Sequence, residues 1–190
     1  SDRQQWYDAE SAEYDALLKE HGCWKYVPRD QAKGYKVYRC KYVYKHKPPC
    51  PPLPARYKAR LVCTAWDEDV AGLQTFAPVC RLDTVRMLLA KCAKNNWRLD
   101  CYDIMNAFVL APLQPEQVGK VFMEVPPCHR KEFPGMVCEL QTTLYGLKTA
   151  PANFNAHVHS WLTGVGEGQP GCVQQSSDSS LYKYTAKDGS

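Results

Sequence analysis

Tyr38-Arg39-Cys40-Lys41-Tyr42-Val43-Tyr44-Lys45 sets an apolar residue at every second position, Tyr38, Cys40, Tyr42 and Tyr44, with Arg39, Lys41 and Lys45 between them. That alternation is the pattern of a strand with one packed and one wet face. The proline-dense run from Pro48 to Pro54 cannot continue a ladder. Tyr57-Lys58-Ala59-Arg60-Leu61-Val62 then starts a return strand, with Lys58 and Arg60 on the same side. Residues 35–66 therefore read as a hairpin. Between Lys25 and Arg60 there is one acid, Asp30, among many Lys and Arg. Such a single-sign surface concentrates polyanions such as nucleic acid or nucleoside triphosphates, although a solvated basic face without a partner has the same composition.

Working outward, the spacing of Trp6, Ala9, Glu13, Leu17 and Leu18 predicts a helix over 5–20, closed by His21-Gly22. Val85, Leu88, Leu89 and Cys92 predict a second helix over 83–95, with Asp83 as N-cap and Asn95-Asn96 as the stop. Strands are expected at 97–104, 120–125, 136–140 and 181–185, a short helical turn at 107–113, and a third helix opening at Pro151. Residues 164–180 read as a Gly-, Gln- and Ser-rich loop, and Asp188-Gly189 as a hairpin signal with no strand behind it. Helices and strands mixed without strict alternation argue an α+β fold. The length suits one domain or slightly more, and no repeat is seen.

The net charge is only +4, so the basic hairpin is a local feature. No apolar run approaches the ~20 residues that span a bilayer, so no membrane partner is expected. The polar opening, Ser1 to Gln5, is not a signal peptide. None of the ten cysteines stands in a Cys-x-x-Cys pair, and neither Cys128-His129 nor His21 with Cys23 has a second half at zinc spacing. His157 and His159 cannot share a helix face. Cys40, Cys63, Cys92 and Cys101 read as reduced packing residues of an intracellular protein, in cytoplasm or nucleus alike.

The segment carrying the chemistry is Asp100-Cys101-Tyr102-Asp103-Ile104-Met105-Asn106-Ala107-Phe108, which sets a carboxylate at the end of a strand-like run. An acid there serves equally well as a helix cap or as one half of a salt bridge. Its company decides. Arg56-Tyr57-Lys58-Ala59-Arg60-Leu61-Val62, Thr75-Phe76-Ala77-Pro78-Val79, Asp103 to Phe108, Val121-Phe122-Met123-Glu124, and Leu144-Tyr145-Gly146-Leu147-Lys148 with Ala150-Pro151 occur in that order. Together they resemble the reverse transcriptase of Ty1/copia-type retrotransposons, over nearly the whole chain. Trp6 to Leu17, Trp24, Lys41 to Lys45, and Asp178 with Leu181-Tyr182 fit the same family.

The resemblance implies a right-hand polymerase: fingers over about 1–97, including the hairpin, and a partial palm over about 98–190, with a mixed or antiparallel sheet and packing helices. It implies an RNA-directed DNA polymerase acting on an RNA or DNA template-primer and dNTPs by two-metal phosphoryl transfer. Two Mg²⁺ ions roughly 3.5–4 Å apart stabilise the attacking and leaving oxygens in such chemistry. Asp103 resembles the first metal-binding carboxylate, and the Ile104 carbonyl would be a main-chain ligand. Asp100 is the weaker candidate, on the opposite strand face. Phe108 resembles the aromatic that rejects a 2′-hydroxyl, with core filling as the plain alternative. Lys58 and Arg60 resemble the cations that hold the triphosphate, and Tyr145, Gly146 and Lys148 lie near the nucleotide pocket by analogy.

The sequence departs from the family pattern at Thr149, usually Gln, at Ala152 and Asn153, usually Arg and Trp, and at Met105, where Lys is common. The family's second acidic motif, Tyr-x-Asp-Asp, should follow the last strand, and no Asp-Asp pair occurs in this sequence. The chain alone is therefore expected to lack polymerase activity. A non-catalytic nucleic-acid-binding protein and a decayed transposon relic are the alternatives. A palm sheet without that hairpin would expose an edge and self-associate.

Overall fold

The computed structural model describes residues 2–113, 119–166 and 169–185. The Asp188-Gly189 hairpin signal lies outside the described residues. Two compact units emerge from the contacts, one of Ser1–Thr75 with Asn106–Asn153 and one of Phe76–Met105 with Phe154–Ser190.

The first unit is built on a five-stranded mixed sheet. Its strands are β1 (Trp24–Pro28), β2 (Val37–Lys47), β3 (Arg56–Thr64), β4 (Phe122–Glu124) and β5 (Met136–Leu140), in the spatial order β1-β5-β4-β2-β3. β2 and β4 run parallel and the other pairs antiparallel. The alternation in β2 holds where it matters most, because Cys40 and Tyr42 are buried opposite Cys63 and Leu61 of β3. Tyr44 remains half exposed, yet helix α1 (Asp2–Asp15) fastens it. Its hydroxyl donates to Glu10 at 2.5 Å, and the Trp6 ring meets the Tyr44 and Tyr57 rings edge-on at 5.2 and 4.5 Å. A π-helical turn, Ala16–Glu20, follows α1 and seats Leu17 in the core.

β3 is an edge strand whose outward groups are covered rather than left open. Cys63 N–H donates to the Tyr145 carbonyl at 2.7 Å and Leu61 N–H to the Glu13 carboxylate at 3.3 Å. The two covering residues come from a loop and from α1, far apart in sequence.

The second unit contains α2 (Leu82–Asn95), most of α3 (Ala150–Thr163, which starts in the first unit), and two small hairpins. These are β6 (Val165–Gly166) with β7 (Gln169–Pro170), and β8 (Val173–Gln175) with β9 (Asp178–Lys183). The expected loop over 164–180 is thus largely paired, and the last strand starts at Asp178 rather than Leu181.

Two further expectations are corrected. Residues 97–104 form no strand. A strand exists only through its ladder, and no described segment pairs with this one, so Trp97, Leu99, Tyr102 and Ile104 lie exposed. Asp83 is not the N-cap of α2. That position is Arg81, in extended conformation, whose N–H donates to Asp178 at 3.0 Å. Asp83 sits in the first turn beside Arg86. Asn96 does end α2, in the left-handed conformation at φ 53°. All ten cysteines are free, but Cys101 is exposed rather than a packing residue.

Candidate phosphate-binding site

The register of β2 and β3 builds the site. Arg39, Lys41, Val43, Lys45 and Lys47 share the face of β2 turned from α1, and stand opposite Thr64, Val62, Arg60, Lys58 and Arg56 of β3. Seven cations therefore occupy one face of a two-stranded ribbon. Lys45 lies directly across from Lys58, and Lys47 across from Arg56. Like charges in that position destabilise a sheet. Among the described residues none of the seven has a carboxylate within ion-pair distance. The Lys58 ammonium is pushed below its ordinary range, first by partial burial and then by Arg60, with Glu13 acting in the opposite direction. Glu13 in turn is raised by its own burial, against the pull of the Leu61 N–H, Lys58 and Arg60.

Lys58 and Arg60 thus share one face, as their spacing predicts. The Arg60 guanidinium lies over the Tyr145 ring at 4.8 Å, and Tyr145 meets Phe108 at 5.5 Å with the rings tilted by 59°. Arg60, Tyr145 and Phe108 form a continuous row that stiffens the cation and leaves its fork available. Phe108 sits in a 3-10 turn, Ala107–Leu110, entered through Asn106 in the left-handed conformation, and packs partly against the core.

Gly146 contributes by having no side chain. Its φ is +96°, and a Cβ there would lie 1.9 Å from the Cys63 carbonyl oxygen and 2.8 Å from Val62 Cγ1. This close approach lets Tyr145 reach the edge of β3 and stack under Arg60. Lys148 is engaged elsewhere: its ammonium donates to the Glu68 carbonyl at 3.1 Å and its N–H to the Glu68 carboxylate at 2.6 Å. Glu68, buried against the turn that leads into α3, also accepts from the Thr149 hydroxyl at 3.4 Å. Burial raises its carboxyl, and those donors pull the other way. Thr149, a departure from the family pattern, is therefore bonded into this turn. Sequence reasoning missed Glu68, which stands in no motif, and read Glu13 only as part of the first helix's stripe, because each acts on a segment distant in sequence.

Asp103 and Ile104 belong to the second unit. Both are exposed, and Asp103 has no hydrogen bond or ion pair among the described residues. Asp100 pairs with Arg98 at 2.9 Å. Two Mg²⁺ ions need several oxygen ligands arranged around them. Among the described residues no group of three or more His, Cys, Asp or Glu is placed to hold a metal. One carboxylate and one carbonyl do not fit a two-ion centre.

Comparison with known proteins agrees with the resemblance read from the motifs. The chain belongs to the reverse transcriptase (RNA-dependent DNA polymerase) family, whose profile matches residues 22–171. It is 30% identical over 183 residues, 94% of its length, to the retrovirus-related Pol polyprotein from transposon RE1 of Arabidopsis thaliana. The corresponding polyprotein from transposon RE2 of that plant is 30% identical over 93% of the chain. The polyprotein from transposon TNT 1-94 of Nicotiana tabacum is 31% identical over 76%. These are Ty1/copia-type relatives, and the chain spans 11–12% of their length. No solved structure matches the chain. The family as a whole requires a divalent metal and binds a template-primer. No helix among the described residues is long and apolar enough to cross a membrane.

Proposed function

We propose that this chain is the phosphate-holding part of a retrotransposon reverse transcriptase domain, with the hairpin unit as its fingers and the Asp103 segment as part of its palm. The observation that carries the reading is the ribbon face with its seven cations, two like-charge cross-strand pairs and no ion pair among the described residues. Folding alone disfavours that arrangement, and a bound polyanion offsets its cost. Template-primer backbone lies along Arg39, Lys41, Lys45 and Lys47. Lys58 and Arg60, at the Tyr145 end, take the triphosphate of an incoming dNTP, Arg60 by forked contacts and Lys58 as a point charge. Phe108, behind Tyr145, stands where it limits room beside the sugar. Gly146 and Lys148 set the turn that holds Tyr145 in place. Asp103 and the Ile104 carbonyl would be two of the ligands of the divalent metal the family requires, which would stabilise charge on the reacting oxygens, and they do not make that site by themselves.

The test is binding of a fluorescein-labelled single-stranded 12-mer by the 190-residue chain across a salt series. The affinity is expected to fall steeply with salt and to ignore base sequence. Lys58→Glu with Arg60→Glu should weaken binding at least ~10-fold and flatten the salt slope by about 1.4, at roughly 0.7 per lost phosphate contact. Unchanged affinity and slope in that double variant would remove the reading.

A further inference from the structure

A depression of about 610 Å³ lies at the root of the ribbon, where the cationic face ends. Trp66 stands in it, 79% exposed, beside Tyr38, Val37 and Arg39, with Lys36 and Asp67 on the far side. A tryptophan that open, on the lining of a depression, offers a flat ring with nothing stacked on it among the described residues. The family assignment does not account for it.

The surroundings specify the occupant. Arg39 belongs both to this depression and to the cationic face, two residues from Lys41 and hence about 6.6 Å along the strand. Arg39 and Thr64 face each other across the last rung of the ladder, and Trp66, in the turn Ala65–Glu68 just past it, lines the same depression as both. On the far side, Lys36 is neutralised by an ion pair with Asp67, and Asp69 follows on the surface. Phosphates are favoured at the Arg39 end and disfavoured at the Asp67 end. Between them lies an apolar ring, bordered by the Asp67 carboxylate as an acceptor. A chain that is anionic along one edge and aromatic along the other fits this polarity: a single-stranded nucleic acid, with its phosphates on Arg39 and Lys41 and one unpaired base turned inward.

We infer that Trp66 is a stacking platform for an unpaired base of a single strand whose backbone runs along the β2–β3 ribbon. The inference rests on the proposed phosphate-binding role of that ribbon. Base–aromatic stacking is tolerant of sequence, because every base has a π-face. The site thus adds affinity for unpaired strands without reading them.

The experiment compares two labelled 12-mers of equal charge, one of thymidine nucleotides and one fully abasic, binding to the 190-residue chain. Wild type should bind the base-bearing strand about tenfold or more tightly, with quenching of tryptophan fluorescence. Trp66→Ala should lose that preference and leave the abasic affinity and salt slope unchanged, and Trp66→Phe should keep part of it. A base preference that survives Trp66→Ala overturns the inference, as does equal wild-type affinity for the two strands. Lys58→Glu with Arg60→Glu separates the two readings. Loss of abasic binding there, together with an unaltered preference in Trp66→Ala, leaves the phosphate reading standing and the platform refuted. Abasic binding untouched by the charge reversal, with loss of base preference in Trp66→Ala, does the reverse.

Discussion

Gly146 is the position where one missing atom decides whether the sheet edge closes. At φ +96° any other residue is strained, and a Cβ would overlap the Cys63 carbonyl at 1.9 Å. The obstacle is backbone and cannot swing away. Gly146→Ala must therefore push the Tyr145 loop off β3, breaking the bond from Cys63 N–H to the Tyr145 carbonyl and unstacking Arg60. We expect a loss of about 3 kcal/mol or more, read as a lowered urea midpoint. A midpoint within ~0.5 kcal/mol of wild type would mean that the loop does not depend on this approach. The Tyr-Gly pair was legible in the sequence as a motif, and a backbone turn was the natural reading of the glycine. The clash that makes glycine obligatory was not legible, because it belongs to β3, some eighty residues away. The contacts of Glu68 and Glu13 were hidden for the same reason. Glu13 shows as one position of a helical stripe, and nothing beside either carboxylate marks the distant turn or edge it bonds.

At the scale of the element, local pattern read β2, β3, β5 and the helices well, since alternation and the helical stripe are written within each segment. It failed where an element depends on a partner. The run 97–104 is apolar enough for a strand but finds no ladder among the described residues, whereas the polar stretch 164–180 does find one. The start of α2 shows the same dependence. Asp83 has the right residue type beside the helix, yet Asp178 serves the terminus. It binds the Thr84 side chain, the N–H groups of Arg81 and Ser180, and the Cys80 thiol, and these donors, Thr84 first, hold its carboxyl at about 2. The folded value thus lies below the ordinary 3.8 of an aspartic acid. The stabilisation is present above that ordinary value and is lost as pH falls through about 2. In a urea series from about pH 5 down to pH 2, wild type should lose more stability than Asp178→Asn, which keeps the shape but cannot titrate. Parallel pH profiles for the two proteins would show that Asp178 does not couple folding to protons.

At the scale of the molecule, stability is concentrated in one of the two units. Every buried apolar residue described, from Tyr14 to Ala152, lies in the first unit. In the second, the buried residues among those described are Thr84 and Asp178, both polar. The stripe of α2 that reads as a core face in the sequence buries none of its residues fully: Val85 is 39% and Leu89 47% exposed, and Leu88 and Cys92 are half-buried. Periodicity reports which residues a helix can bury, while burial itself needs a surface to receive them. Helices of this length have little stability in water without packing, and α2 has 14 residues. Hydrogen bonds such as those of Asp178 then hold the second unit together. The two units should therefore open separately. Under native conditions, amides of α2 and of the β8–β9 hairpin should exchange with solvent at least ~100-fold faster than those of β2, β4 and β5, a gap of about 2.7 kcal/mol in opening free energy. Low urea should accelerate the first group little, because local opening exposes little surface, and the second strongly. Uniform protection across both groups, merging into one urea-dependent opening, would show a single cooperative body and would contradict the placement of the core in the hairpin unit alone.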